Sequence, residues 1–126
     1  MTAREGEYLT HYEEKRRYPR ATVIDLYVRW GTTPECEHDG DQVTSLSLGG
    51  CFLVTEREAE SGETVFIRLW EASTPGGLYQ GVVRYQLQLS DPLPPIGLGV
   101  EFVEVGEEDS ERLQGVMEYY SRPAEP

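Results

Sequence analysis

The sequence predicts a mainly-β domain: a six-stranded antiparallel barrel with a C-terminal helix covering one opening. Three observations carry this. Short segments alternate apolar and polar residues, the period of a strand with one buried face. Most connections between them are of hairpin length and rich in Gly, Pro, Ser and Asp. After the last of them the period changes. Leu113, Val116, Met117 and Tyr120 fall at i, i+3, i+4 and i+7, one stripe of a helix.

The elements follow in order. Residues 1–14 form an acidic arm, in which Tyr8, Leu9 and Tyr12 are spaced for one face of a short helix. Pro19 disfavours helix at Tyr18, so Lys15–Arg20 is expected to be extended or looped. In Ala21–Trp30, Ile24, Leu26, Val28 and Trp30 face one way, and Asp25, Tyr27 and Arg29 the other. Gly31–Gly40 reads as a polar, acidic loop. Asp41–Leu46 and Cys51–Thr55 are strands joined through a Ser-Gly turn. Thr64–Trp70 follows, with Val65, Ile67 and Leu69 inward. Pro75-Gly76-Gly77 is expected to break the chain before a strand over Leu78–Leu89. Ser90–Pro95 is a proline-rich turn, and Ile96–Val105 the last strand. Glu107, Glu108 and Asp109 lie where a helix N-terminus favours negative charge. Residues 121–126 read as a flexible tail.

Composition sets the bounds. The 126 residues suit one domain. No apolar run approaches the roughly 18 residues of a membrane span, and the N-terminus is too acidic for a secretory signal. Cys36 and Cys51 form neither a C-x-x-C pair nor a zinc spacing, which suits a cytoplasmic protein with free thiols. Cys51, between Gly50 and Phe52, reads as a small buried hydrophobe. The net charge of −12 argues against DNA, RNA or an anionic membrane as a general partner.

The local exception is informative. Of the 11 basic residues, Lys15, Arg16, Arg17 and Arg20 lie together. An arginine fork grips phosphate bidentately and also lies flat on aromatic bases. Downstream, Ser45-Leu46-Ser47-Leu48-Gly49-Gly50 supplies small hydroxyls and bare backbone that a ligand can approach closely.

The order and spacing of these two segments resemble the PilZ domain family, bacterial receptors for cyclic di-GMP. Its signature is Arg-x-x-x-Arg, then, roughly two dozen residues on, Asp/Asn-x-Ser-x-x-Gly. Arg16 and Arg20 match the first half, and Ser47 and Gly50 the second. Ser45 stands where the family has Asp or Asn. The likeness runs from about Lys15 to Tyr120 through Gly62-Glu63-Thr64-Val65, Gly81-Val82-Val83-Arg84 and Gly97-Leu98-Gly99-Val100-Glu101-Phe102.

The resemblance implies a six-stranded split barrel over residues 15–120 and a binding module rather than an enzyme. Its ligand is cyclic di-GMP, with no further cofactor. The implied contacts are Arg16, Arg17 and Arg20 on phosphates and guanine faces, with Ser45, Ser47, Gly49 and Gly50 as the floor. Arg84, Tyr18 and Lys15 are secondary candidates. Ligand would order the arm and change the surface shown to a protein effector. The rival is a PilZ-fold adaptor that has lost nucleotide binding, for which Ser45 speaks.

Catalytic signals are weak. His11 and His38 have no nucleophile at a recognisable spacing. Cys36, His38, Asp39 and Asp41 read as a solvated charge cluster rather than a metal clasp. Trp30 and Trp70 are read as core or rim, Arg68 as surface, and Gly97-x-Gly99 as a place of close packing.

Overall fold

In a computed structural model, residues 19–71, 74–89 and 95–121 are described. The acidic arm, Lys15, Arg16, Arg17 and Tyr18 lie outside the described residues, as do 90–94 of the expected turn and 122–126 of the tail. Among the described residues six strands form: β1 Ala21–Gly31, β2 His38–Ser47, β3 Gly50–Thr55, β4 Thr64–Glu71, β5 Thr74–Gln88 and β6 Ile96–Phe102. One helix follows, α1 Glu107–Tyr120. All pairings are antiparallel, and the strands close into a barrel in the order β1-β2-β3-β6-β5-β4.

The inward rows make the core. Leu46, Cys51, Val100 and Val83 stand opposite one another across β2, β3, β6 and β5, and all are buried. Val65, Ile67 and Leu69 of β4 point inward as expected. Helix α1 packs Leu113 and Val116 into this core, with Met117 and Tyr120 partly buried against it. The Tyr79 hydroxyl donates to the Asp109 carbonyl at 3.0 Å and ties β5 to the helix.

Four expectations are corrected. Ile24 is not a core residue: it is 41% exposed, and Val23, 3% exposed, takes the inward place. The cause is a bulge between Thr22 and Leu26, where Asp25 adopts φ 64°. Aspartate tolerates the left-handed region better than a branched residue, and the extra residue switches the facing of everything before it. Pro75-Gly76-Gly77 does not break the chain, because β5 starts at Thr74 and absorbs the irregularity as a bulge opposite Leu69/Trp70. The strands β2 and β6 end elsewhere than expected, β2 reaching back to His38 and β6 stopping at Phe102.

The fourth correction concerns Cys36, His38, Asp39 and Asp41. Asp39 is exposed as expected, but Cys36, His38 and Asp41 do not join it in a solvated cluster. Cys36 is fully buried, and its thiol donates to the Phe66 carbonyl at 3.5 Å. Asp41 accepts from Trp30 Nε1 at 2.7 Å and from Thr55 Oγ1 at 2.6 Å. His38 packs edge-on against the Trp30 ring. The carboxylate is thus the polar anchor of a buried tryptophan, a demand that local spacing does not reveal.

Candidate functional site

The register brings the second motif and its neighbours to one outer face of the barrel. Core and outward positions alternate, so the rows flanking the Leu46–Cys51–Val100–Val83 row face out. One outward row runs Thr22–Ser45–Phe52–Gly99–Tyr85 across β1, β2, β3, β6 and β5. The next runs Ser47–Gly50–Glu101–Val82. Arg20, one residue before the Ala21–Leu46 pair, enters beside Ser47. All of these but Thr22 and Val82 line a surface pocket of about 430 Å³, completed by Leu48, Gly49, Glu104, Val105 and Ser110 at the approach to α1.

Ser47 shapes the turn. Its Oγ accepts from the Gly49 backbone N–H at 3.1 Å and donates to the Gly50 carbonyl at 3.4 Å. A serine hydroxyl bonding the backbone two residues on is a recurrent turn device. The Gly49 carbonyl in turn accepts from the Phe102 N–H at 2.9 Å, stapling the turn to β6. Ser47 is buried and Ser45 half-buried. A hydroxyl carries two acceptor lone pairs, so Ser47 keeps acceptor capacity after its turn bonds.

Gly50 has a structural reason of its own. A Cβ there would lie 2.1 Å from the Val100 carbonyl oxygen. Two strands approach too closely for any side chain, whether or not a ligand sits above. Cys51, the next residue, lines the pocket floor, and burial pushes its thiol up to about 12. It is inert as a nucleophile at neutral pH.

Charge at the pocket is mixed. Arg20 is exposed at its edge, and Glu101 and Glu104 also line it. Arg84 does not line the pocket; its Nε donates to Glu101 Oε1 at 2.6 Å and holds a cation at the rim. Among the candidates read from the sequence, the pocket therefore joins Arg20, Ser45, Ser47, Gly49 and Gly50. Arg84 reaches it only through Glu101. Arg68 lies on β4 opposite Arg29, away from it.

Sequence reasoning missed Phe52, Tyr85, Glu101 and Glu104 as pocket residues. One signal was present. Gly97 and Gly99 alternate with buried Leu98 and Val100, so glycine occupies the outward positions of β6. Their missing side chains are replaced by aromatic rings. A Cβ on Gly97 would lie 2.0 Å from Phe52, and one on Gly99 2.2 Å from the Tyr85 ring.

A family model described as the PilZ domain matches residues 14–118. The chain belongs to the PilZ domain family. Comparison with curated proteins gives no match. Among solved structures, it is similar to the PilZ domain with c-di-GMP of YcgR from Escherichia coli. That match has 17% identity, covers 80% of this chain and 87% of the other, and has a TM-score of 0.60. The K. pneumonia MrkH–c-di-GMP complex matches with 19% identity, a TM-score of 0.57 and 79% of this chain. This PilZ chain spans about half of MrkH, 49% of that chain being covered. At these identities the likeness establishes the fold.

Proposed function

We propose that this PilZ domain is a cytoplasmic receptor for cyclic di-GMP, a binding module that signals to a protein effector. The observation that supports it best is the pocket, which gathers Arg20 with Ser45, Ser47, Gly49 and Gly50 on one outer face. The family match and the c-di-GMP bound by two structural neighbours support the same ligand.

In this reading Arg16, Arg17 and Arg20 grip the phosphodiesters and guanine faces. Lys15 and Tyr18 lie in the same segment. Ser45 and Ser47 meet the guanine edge, and the Gly49-Gly50 backbone lets the ligand sit against the barrel. Ligand orders the Arg-rich arm, an order–disorder switch that presents a new surface to the effector. The net charge of −12 disfavours DNA or RNA as that partner.

The adaptor reading draws on a specific observation. Ser45 replaces the family's acidic or amide residue, while Glu101 and Glu104 bring negative charge to a pocket meant for an anion. Titration calorimetry decides between them. The receptor reading expects binding in the micromolar range, about −8 kcal/mol. Arg16→Ala and Arg20→Ala should each cost about 2–5 kcal/mol of it, and Arg68→Ala almost nothing. No heat at several hundred micromolar ligand, with folded protein, establishes the adaptor instead.

A further inference from the structure

Two aromatic rings lie against the outer face of the barrel, beside the serines of the pocket. Tyr85 covers Gly99, where a Cβ would sit 2.2 Å from its Cε2 and Cζ atoms. Phe52 reaches over Gly97 with the tip of its ring, where a Cβ would sit 2.0 Å from Cζ. The ring centroids are 6.3 Å apart and the planes differ by 34°. Together they make a shallow shelf across β3, β6 and β5, and Phe52, Tyr85 and Gly99 all line the pocket.

Glycine under a ring fixes which surface of that ring is left over. One face is spent on the backbone, and the other looks away from the sheet. Tyr85 keeps 39% of its surface exposed, so that second face is open. A ring whose only duty was to cover glycine would need no open pocket above it. Aromatic faces held in place, next to hydroxyl acceptors and a guanidinium, are what a planar heteroaromatic base needs. The face gives stacking, while Ser45, on the same outward row, gives the edge a hydrogen-bonding partner.

We propose that Tyr85, backed by Phe52, is a stacking platform for a purine base of the bound nucleotide. The proposal rests on the receptor reading above. It also bears on Ser45: a neutral hydroxyl in place of a stronger acceptor is offset by face-on area supplied from β5. The hydroxyl of Tyr85 is not needed for this, and its ring is.

The test is calorimetry with cyclic di-GMP on the wild type, Tyr85→Phe and Tyr85→Ala. Losing one stacked base costs roughly tenfold to a hundredfold in Kd. Tyr85→Ala should fall in that range and Tyr85→Phe within about twofold of wild type. Tyr85→Trp adds a readout that fold stability does not move. Its fluorescence should be quenched on ligand addition beyond any change from the buried Trp30 and half-buried Trp70 in the wild type.

Because the ring covers Gly99, Tyr85→Ala is checked by circular dichroism; if it unfolds, Tyr85→Leu takes its place and the indole signal of Tyr85→Trp stands independently. A wild type that binds while the folded Ala or Leu variant binds equally well overturns the platform and leaves the receptor reading intact. A Tyr85→Trp variant that still binds without quenching does the same. A wild type that binds nothing overturns both.

Discussion

Gly50→Ala asks whether the second motif's glycine serves the barrel or the ligand. The new Cβ would stand 2.1 Å from the Val100 carbonyl oxygen and 3.2 Å from Glu101 Cα, both backbone. Reaching an ordinary 3.4 Å contact needs about 1.3 Å of movement, the difference between 3.4 and 2.1 Å. Val100 is opposed by Cys51 on one side and Val83 on the other, so its backbone cannot turn aside without breaking a ladder. Overpacking of this kind costs about 1–3 kcal/mol, and each lost ladder bond about 0.5–1.5. The expected loss is about 3 kcal/mol, a large part of a domain's stability of about 5–15. Urea unfolding at 25 °C should show it as a drop in midpoint with the slope unchanged. Gly97→Ala is the control. The atoms nearest its Cβ are all of the Phe52 ring, a side-chain end rather than backbone, so the cost should be about 1 kcal/mol. If Gly50→Ala cost less than about 1 kcal/mol, or less than Gly97→Ala, the close-approach argument would be refuted. The glycine would then owe its place to a ligand.

Three further outcomes are expected. Asp41→Ala strips the acceptor from Trp30 Nε1 and Thr55 Oγ1, and should destabilise by about 3 kcal/mol in urea unfolding; a loss under about 1 would show the network to be incidental. Stability should be flat up to pH 9 and then fall, because the unfolded Cys51 thiol ionises near 9.0 while the folded one keeps its proton up to about 12. The slope is about 1.4 kcal/mol per pH unit in that window, with Tyr79, raised from 10.0 to about 12 chiefly by burial and then by Asp109, adding to it above pH 10. Cys51→Ala should remove part of the fall between pH 9 and 10, the rest staying with Cys36, whose thiol is also raised chiefly by burial; an unchanged profile would refute the assignment. Ser45→Asp should tighten cyclic di-GMP binding by about 1 kcal/mol in calorimetry, since a charged acceptor bonds more strongly than a neutral one; weaker binding with the fold intact would show that this position does not meet the guanine edge.

What the sequence determined by itself is what local chemistry controls. Alternation and the turn residues between segments marked six strands, though not all of their ends, and the stripe through Leu113, Val116, Met117 and Tyr120 marked the helix, because one-sided burial imposes its period on the chain. The grouping of Arg16, Arg17 and Arg20, and the turn through Ser47 and Gly50, were legible for the same reason: each is a contiguous stretch whose chemistry does not depend on the rest. Facing is different. Ile24 fits the alternation of its strand and is still exposed, because a bulge at Asp25 is settled by pairing with β2. Asp41 reads as one more acid where a polar loop gives way to a strand until β1 and β3 bring Trp30 and Thr55 to it. The pocket is also a product of register. Phe52, Tyr85 and Glu101 come from β3, β5 and β6, and join Ser45 and Arg20 only because antiparallel pairing stacks their positions in adjacent outward rows. A sequence records which residues alternate. Which of them meet across strands is decided by long-range pairing, whose register depends on bulges and strand ends fixed only when the barrel closes.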